Sequence, residues 1–237
     1  MWPIQTCNNN FVTISFSPQY LSCCWFEHTN KQKPYHLKAC QTTKLDNLEL
    51  EHLLIFNPSR ISSYIQQFLT KNQITTPFAL FCLNGPTVFE QFIPIENASP
   101  LPQQFSIPNR NNLIWDYAYL YPTHNGQFTF YVAGIKRELL FQYQLLAIRN
   151  QLNLIIVTAN TMALLNLYKY HKGTQFRHSQ LGIELTKHNH RIDQMFDESI
   201  INKLLTIDST ITIPTQDEIP SLLTSLGLFI MRNKSYA

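Results

Sequence analysis

The sequence predicts an α/β fold with mixed sheets and helices on both faces, and three features of the chain support this prediction. Of the 237 residues, 44% are hydrophobic, which is enough apolar material for a substantial core. Apolar positions alternate near the N-terminus as in strands, whereas a stripe with helical spacing follows at residues 57–69. Residues 128–158 then read as strand, helix and strand, a succession typical of α/β proteins.

The first half of the chain is predicted to open with an antiparallel hairpin. Two apolar runs, residues 12–16 and 21–26, flank a short polar turn that contains Pro18. The segment YHLKAC supplies a third strand in meander order. Asn57 and Pro58 suit the N-cap and the first position of a helix. Strands are expected at residues 78–83 and 87–93, and residues 45–55 remain open between helix and loop.

The second half is predicted to follow a proline-rich junction at residues 94–110. We take this junction to separate two subdomains, residues 1–125 and 126–237. Residues 128–158 are interpreted as a βαβ unit with a parallel pair of strands, and its helix carries Ile135, Leu139, Tyr143 and Leu146 on one side. Further elements are expected after it: a helix capped by Thr158 and ended near Gly173, a hairpin around 187–190, a helix near 197–205, a strand at 210–213 and a C-terminal helix.

The charge distribution argues against nucleic acid as a partner. The net charge is +3, but the Lys and Arg residues are scattered and form no basic patch. The N-terminal MWPIQTCNNN lacks the basic start and apolar run of a signal peptide, and no uninterrupted apolar run of about 18 residues occurs. The five cysteines show no CxxC spacing, which favours reduced thiols. We therefore expect a cytosolic protein without direct membrane insertion.

The order hairpin, third strand, helix and strand is that of a ribonuclease-H-like half, the unit that actin-like ATPases contain twice. In such folds the first hairpin turn holds phosphate, which requires an acidic residue for Mg²⁺ and glycine for close backbone approach. The turn here, residues 15–19, has neither, and Pro18 removes a backbone donor. None of the six glycines precedes Gly85. The sequence thus predicts an actin-like fold with a degenerate phosphate site and no bound cofactor.

Other candidate sites give weak signals. His188 and His190 could bind a metal, but two imidazoles beside Lys187 without a nearby cysteine are more typical of a solvated turn. Asp116 is the one carboxylate amid aromatic residues, and a structural acceptor is the simpler interpretation. Residues 208–210 resemble a phosphate loop but lack glycine. We predict no catalytic residue and no metal site.

Several segments together resemble the PilM-type proteins of type IV pilus, type II secretion and competence systems, which are related to the cell-division protein FtsA. VTISFSPQYLS can be laid on the family's opening motif IDIGxxxxK. The family's Asp, Gly and Lys then fall on Ser15, Ser17 and Ser22. Similar matches are IFNPSRISSYIQQFL, FALFCLNGPTVFEQFIPI, WDYAYL, residues 128–168 and IPSLLTSLGLFIMR. The resemblance spans most of the chain, with Ser15, Ser17 and Ser22 as vestigial phosphate-loop positions.

The resemblance implies a non-catalytic actin-like adaptor, peripheral at the inner face of the inner membrane, in a pilus or secretion assembly platform. Its expected partners are a PilN-like single-span membrane protein, through that protein's cytoplasmic tail, and other platform components. An extended peptide needs apolar pockets and backbone hydrogen bonds. One aromatic stripe could supply such a surface or could pack into the core: Trp115, Tyr117, Tyr119 and Tyr121.

The sequence leaves three alternatives open. A divergent ATPase of the same machinery would bind Mg-ATP through residues outside the known motifs. A ribonuclease-H-like nuclease would need several carboxylates at strand ends to hold two metals, and only Asp116 lies near a plausible strand. The third alternative is an unrelated α/β interaction scaffold.

Overall fold

A computed structural model describes residues 11–29, 34–75, 77–123, 125–196, 199–208, 211 and 218–234. Its strands are β1 (Phe11–Phe16), β2 (Tyr20–His28), β3 (Tyr35–Lys44), β4 (Leu50–Glu51), β5 (Leu54–Ile55), β6 (Phe78–Leu83), β7 (Phe89–Ile95), β8 (Leu113–Pro122), β9 (Phe128–Lys136), β10 (Asn153–Ala159) and β11 (Leu205–Ile207). Its α-helices are α1 (Pro58–Lys71), α2 (Arg137–Arg149), α3 (Asn160–Lys172), α4 (His178–Lys187), α5 (Ser199–Leu204) and α6 (Ile219–Lys234).

The larger sheet is mixed, as predicted. It has the order β10-β6-β1-β2-β3-β11. The predicted hairpin and third strand form the antiparallel pairs β1–β2 and β2–β3, while β1–β6, β6–β10 and β3–β11 run parallel. This combination of a meander with parallel strands on its flanks is the predicted half of an actin-like fold.

Helices cover both faces of this sheet. Every residue of its central strand β1 is therefore buried. Successive side chains of a strand point to opposite faces. Phe16 contacts Tyr143 of α2 with ring centroids 4.7 Å apart, and Phe11 contacts Phe229 of α6 at 6.1 Å. The predicted stripe of α1 is also confirmed, since Ile61, Ile65, Phe68 and Leu69 are buried. The Asn57 side chain caps α1 by accepting a hydrogen bond from the Arg60 N–H at 3.0 Å.

The predicted βαβ unit is wrong in its pairing. Strand β9 lies in a separate three-stranded sheet, β7-β9-β8, and β10 pairs in parallel with β6. Both sides of β9 are already occupied by β7 and β8, so α2 carries the chain across to the free side of β6. Strands from both sides of residue 125 occur in both sheets, so the predicted subdomain boundary does not separate the sheets.

Several local predictions also need correction. The prediction of a hairpin around 187–190 is wrong. Helix α4 extends to Lys187, with Leu181 and Leu185 buried one helical turn apart, and residues 188–190 form the turn that follows it. Thr158 belongs to β10 and does not cap α3, which begins after Ala159. Ile135 lies in β9 rather than in the helix. The strand expected at 210–213 lies outside the described residues except for Ile211.

The core has two parts. The main cluster fills the space between the six-stranded sheet and its helices. A smaller cluster lies on the three-stranded sheet and is composed of Ile93, Ile95, Phe105, Ile107, Leu113, Phe130 and Val132. Residues 45–55, which the sequence left open, form the short β4–β5 hairpin. Among the helices that the structure describes, none is long and apolar enough to cross a lipid bilayer.

Candidate functional site

A cavity of about 410 Å³ lies beside the turn of the β1–β2 hairpin. It is the place where the sequence predicts a degenerate phosphate site. Ser15 and Ser17 both line it, with Asn84 after β6 and Asn160 at the start of α3. The hairpin, the end of β6 and the beginning of α3 therefore converge on one site, although they are far apart in the sequence.

Each of the three serines that the sequence predicts to be vestigial phosphate-loop positions has a structural hydrogen bond. Ser15 Oγ lies 3.2 Å from Ser225 Oγ of α6. Ser17 Oγ accepts a hydrogen bond from the Tyr20 N–H at 3.1 Å and closes the hairpin turn. Ser22 is opposite Ser15 in the β1–β2 register, and its Oγ lies 3.2 Å from Thr42 Oγ1 on β3. These hydroxyls join β1, β2, β3 and α6 together.

The charges around the cavity do not favour a polyphosphate. Among the described residues that line it, Lys44 is the cation, and Asp193 and Glu218 carry carboxylates, so one positive and two negative charges leave the lining at −1. Arg191 forms an ion pair with Asp193 at 2.7 Å. A triphosphate is favoured by an excess of cations, which the charged side chains of this lining do not supply.

The start of α3 provides the remaining polar groups. The Thr224 hydroxyl shares its one hydrogen between two acceptors, Asn160 Oδ1 and the Pro220 carbonyl oxygen, the latter 2.9 Å from Thr224 Oγ1. Helices α3 and α6 pack very closely a few residues further on. A Cβ atom on Gly227 would lie 2.3 Å from the Ala163 carbonyl oxygen. This contact fixes Ser225 and Thr224 beside the hairpin.

A second groove, of about 470 Å³, lies between the two sheets. On one side it is lined by Ile114, Trp115 and Asp116 of β8, and on the other by residues 154–159 of β10. Strand β8 is an edge of the three-stranded sheet, and β10 is an edge of the six-stranded sheet. Edge strands present unpaired backbone N–H and C=O groups. The groove therefore combines aliphatic and polar lining groups with two strand edges that can accept another strand.

The aromatic stripe on β8 is half-buried. Trp115, Tyr117 and Tyr119 pack on the smaller core cluster, with Phe105–Tyr117 centroids 4.6 Å apart and Tyr119–Phe130 centroids 5.5 Å apart. Tyr121 follows a register shift and packs against the main core. Trp115 lines the second groove, and the function of the stripe in partner binding stays a prediction.

The other candidate residues lie apart from the two cavities just described, or at their margin. His188 Nε2 lies 3.8 Å from Glu184 Oε2, and the His190 ring packs on Phe92. Asp116 is exposed at the rim of the second groove and accepts a hydrogen bond from the Tyr117 N–H at 2.8 Å. Within the described ranges, no group of three or more His, Cys, Asp or Glu residues could hold a metal ion.

The cysteines have structural surroundings. Cys23, Cys24, Cys40 and Cys82 are free thiols, and Cys7 lies outside the described residues. Burial raises the pKa of the Cys23 and Cys82 thiols, so these two are poor nucleophiles near neutral pH. Cys24 and Cys40 face each other across β2 and β3 with sulfur atoms 3.2 Å apart.

Comparison with solved structures shows a likeness to a chain of the PilM-PilN type IV pilus biogenesis complex. The TM-score is 0.58 at 11% identity, and the match covers 94% of this chain and 98% of that one. The chain has an actin-like fold. A more distant similarity is to the cytoplasmic domain of EpsL, an inner membrane component of the type II secretion system of Vibrio cholerae, with 12% identity and a TM-score of 0.39 over 65% of this chain and 57% of that one. Another is to a Bacteroides thetaiotaomicron protein with an actin-like ATPase fold and unknown function, with 14% identity and a TM-score of 0.40 over 72% of this chain and 59% of that one. No protein-family model and no curated protein matches the sequence.

Sequence reasoning did not find the second groove. Its walls come from β8, β9, α2 and β10, and the interpretation of residues 128–158 as one βαβ unit placed β9 and β10 side by side in one sheet. One signal was present, because residues 153–159 are uncharged and contain no proline, unlike most protected edge strands.

Proposed function

We propose that this chain is a non-catalytic actin-like adaptor of a type IV pilus or type II secretion assembly platform. In this proposal it binds the cytoplasmic tail of a PilN-like single-span membrane protein and is thereby held at the inner face of the inner membrane. The observation that carries the proposal is the groove between the edges of β8 and β10 in a chain whose fold is similar to one from a PilM-PilN complex.

The groove suits an extended apolar peptide. A peptide strand added to an open edge gains backbone hydrogen bonds, and alternate side chains enter pockets on one side. Ile114 is 42% exposed at the β8 side, and Ile156 and Met162 line the opposite wall. No Lys or Arg lines this groove among the described residues, so apolar contacts and backbone pairing would supply the affinity.

A non-catalytic role is supported by the hairpin cavity. The three positions that would hold Mg²⁺ and phosphate in the resembling family are serines, and two of them are bonded to other strands or helices. The cavity lining also carries more negative than positive charge. Both features favour a chain that keeps the actin-like fold and uses it to bind other proteins.

Site-specific photocrosslinking in the native host tests the proposal. A photoreactive residue at position 114 should crosslink a single-span membrane protein, whereas the same residue at Ile183, which is 68% exposed on α4, should not. The cytoplasmic tail of the crosslinked protein is then made as a peptide and titrated into the purified chain. We expect saturable binding that weakens at least about tenfold in Ile114→Glu, because a buried charge opposes an apolar contact.

The matched control is Ile183→Glu, which places the same charge at an exposed position away from the groove. Its affinity for the peptide should equal that of the wild type. A complex that survives deletion of the tail would contradict the proposed mode of binding. An equal loss of peptide affinity in Ile114→Glu and Ile183→Glu would contradict it too.

A divergent ATPase of the same machinery is the second candidate. One observation favours it, since a cavity of about 410 Å³ persists at the hairpin with Asn160 and Lys44 in its lining. Binding of Mg-ATP by the purified chain discriminates between the two candidates.

A further inference from the structure

Helix α2 has apolar residues on two opposite faces. Leu139, Tyr143 and Leu146 are buried against the sheet. On the other side Phe141, Leu145 and Ile148 are 58%, 48% and 72% exposed. At about 3.6 residues per turn these three side chains form one stripe, directly opposite the buried face. Contiguous exposed apolar surface of this kind marks an interaction site.

Two opposite charges lie along one flank of this stripe. Glu138 is at the start of α2 and Arg149 is at its end, and both are exposed. They are eleven residues apart, or about three helical turns and 16.5 Å. Glu138 and Arg149 therefore occupy the same side of the helix. Gln144, also exposed, lies on the other flank.

This pattern is self-complementary. When two copies of one helix pack antiparallel about a two-fold axis, equal flanks face each other. A register that places Glu138 opposite Arg149 of the second copy also places residue 141 level with residue 146 of that copy. Phe141 then lies between Leu145 and Ile148 of the second copy, as in interdigitated helix packing. The two Gln144 side chains meet near the axis.

We propose that a second copy of this chain packs on this face, in an isologous dimer held by α2 against α2. The charge arrangement selects this occupant. An anionic lipid surface would favour Arg137 and Arg149 at the two ends of the stripe but would repel Glu138, whereas a second copy places an Arg149 opposite each Glu138. Arg149 donates a hydrogen bond to Ser59 Oγ at 2.9 Å, and its remaining N–H groups can reach a carboxylate. The proposal goes beyond the adaptor role and does not depend on it.

Sedimentation velocity of the purified chain at low salt and increasing concentration tests the dimer. We expect a monomer–dimer equilibrium that Glu138→Arg and Arg149→Glu each weaken at least about tenfold, because each single variant places like charges opposite each other twice. A mixture of these two single variants should restore association, since every pair is then opposite in sign. The double variant should also associate.

Controls separate the dimer from a folding defect and from other occupants. Phe141→Gln should abolish association, whereas Ile183→Gln, at a similarly exposed position on α4, should not, and both should keep the melting temperature of the wild type. A chain that stays monomeric at every concentration overturns the proposal, and so does a dimer that the α2 variants leave intact. A monomer whose binding to phosphatidylglycerol vesicles is lost in Phe141→Gln would assign the face to lipid and would equally overturn it. The tail titration described above uses the β8–β10 groove and fails or succeeds separately.

Discussion

Among single residues, Glu49 is the buried carboxylate that joins the β4–β5 hairpin to α1. Its Oε1 accepts hydrogen bonds from the Tyr64 hydroxyl at 2.8 Å and from Arg60 Nε at 3.2 Å, and its Oε2 accepts one from the Asp46 N–H. Desolvation raises the pKa of Glu49, but the hydrogen bonds from Tyr64, Asp46 and Arg60 together outweigh it and leave the pKa below its usual value.

We predict that Glu49→Gln lowers the free energy of unfolding by about 1.5 kcal/mol at neutral pH, because the amide cannot accept all three bonds. A lowered pKa stabilises the fold above the ordinary glutamate pKa of about 4.3, and this stability is lost as the pH falls through the folded value. Urea unfolding from pH 7 to pH 3 should therefore show the difference between the two proteins narrowing on the acid side. Glu51→Gln, at an exposed neighbouring position, should show neither effect.

The hairpin serines are expected to contribute to stability and not to partner binding. Ser15→Ala/Ser17→Ala/Ser22→Ala should lower the free energy of unfolding by about 1–3 kcal/mol, because the buried Ser225 hydroxyl and the half-buried Thr42 hydroxyl lose their bonds. Binding of the membrane-protein tail should stay unchanged if the phosphate loop is vestigial. Calorimetric titration with the tail peptide measures this affinity. Loss of binding in a folded triple variant would contradict a vestigial phosphate loop. Adding Ser225→Ala should recover part of the stability.

The family pattern places these serines in the hairpin, and their interpretation as lost phosphate ligands stays a prediction. The sequence could not predict their present contacts. Ser225 is 210 residues from Ser15, and only the packing of α6 on β1 brings the two together. Glu49 was likewise hidden in a segment whose conformation the pattern left open.

Among elements, the α3–α6 pair depends on close backbone approach. A Cβ atom on Gly227 would lie 2.3 Å from the carbonyl oxygen and 2.8 Å from the carbonyl carbon of Ala163. We predict that Gly227→Ala lowers the free energy of unfolding by at least about 1–3 kcal/mol, because backbone cannot move aside as a side chain tip can. Thermal unfolding measures the effect. Ser221→Ala in the same helix should change the free energy of unfolding little. An unchanged free energy of unfolding in Gly227→Ala would contradict the close contact.

Elements with strong periodicity were predictable, and their partners were less so. The stripe of α1, its Asn57 cap and the β1–β2 hairpin depend on residues close in sequence. The pairing of β10 with β6 depends on which sheet edge is free after β7, β8 and β9 have paired, and no local pattern encodes that competition. The turn at 187–190 was misread because polar residues at a helix end resemble those of a hairpin.

For the whole molecule, the order of elements carried the prediction of an actin-like fold, because a meander followed by a helix and a parallel strand admits few arrangements. The two grooves were not predictable in the same way. Each of them is lined by elements from several parts of the chain, and the second depends on how the three-stranded sheet lies beside the six-stranded one. The absence of a glycine-rich phosphate loop was visible in the sequence itself. Such a loop needs glycine because only a residue without Cβ lets the backbone approach the phosphate closely.

Nucleotide binding would involve several elements at once, because β1, β6, α3 and α6 all line the hairpin cavity. Mg-ATP is anionic, and the hairpin cavity offers Lys44 against Asp193 and Glu218, so we expect no heat of binding and no thermal shift at millimolar nucleotide. Asp193→Asn/Glu218→Gln removes both carboxylates and serves as the matched variant. If only this variant binds, charge is the barrier and the cavity shape is retained; if neither binds, the missing glycine and Mg²⁺ ligands decide the outcome. Saturable binding by the wild type would place an ATP-dependent cycle at the centre of its function and would end the non-catalytic interpretation.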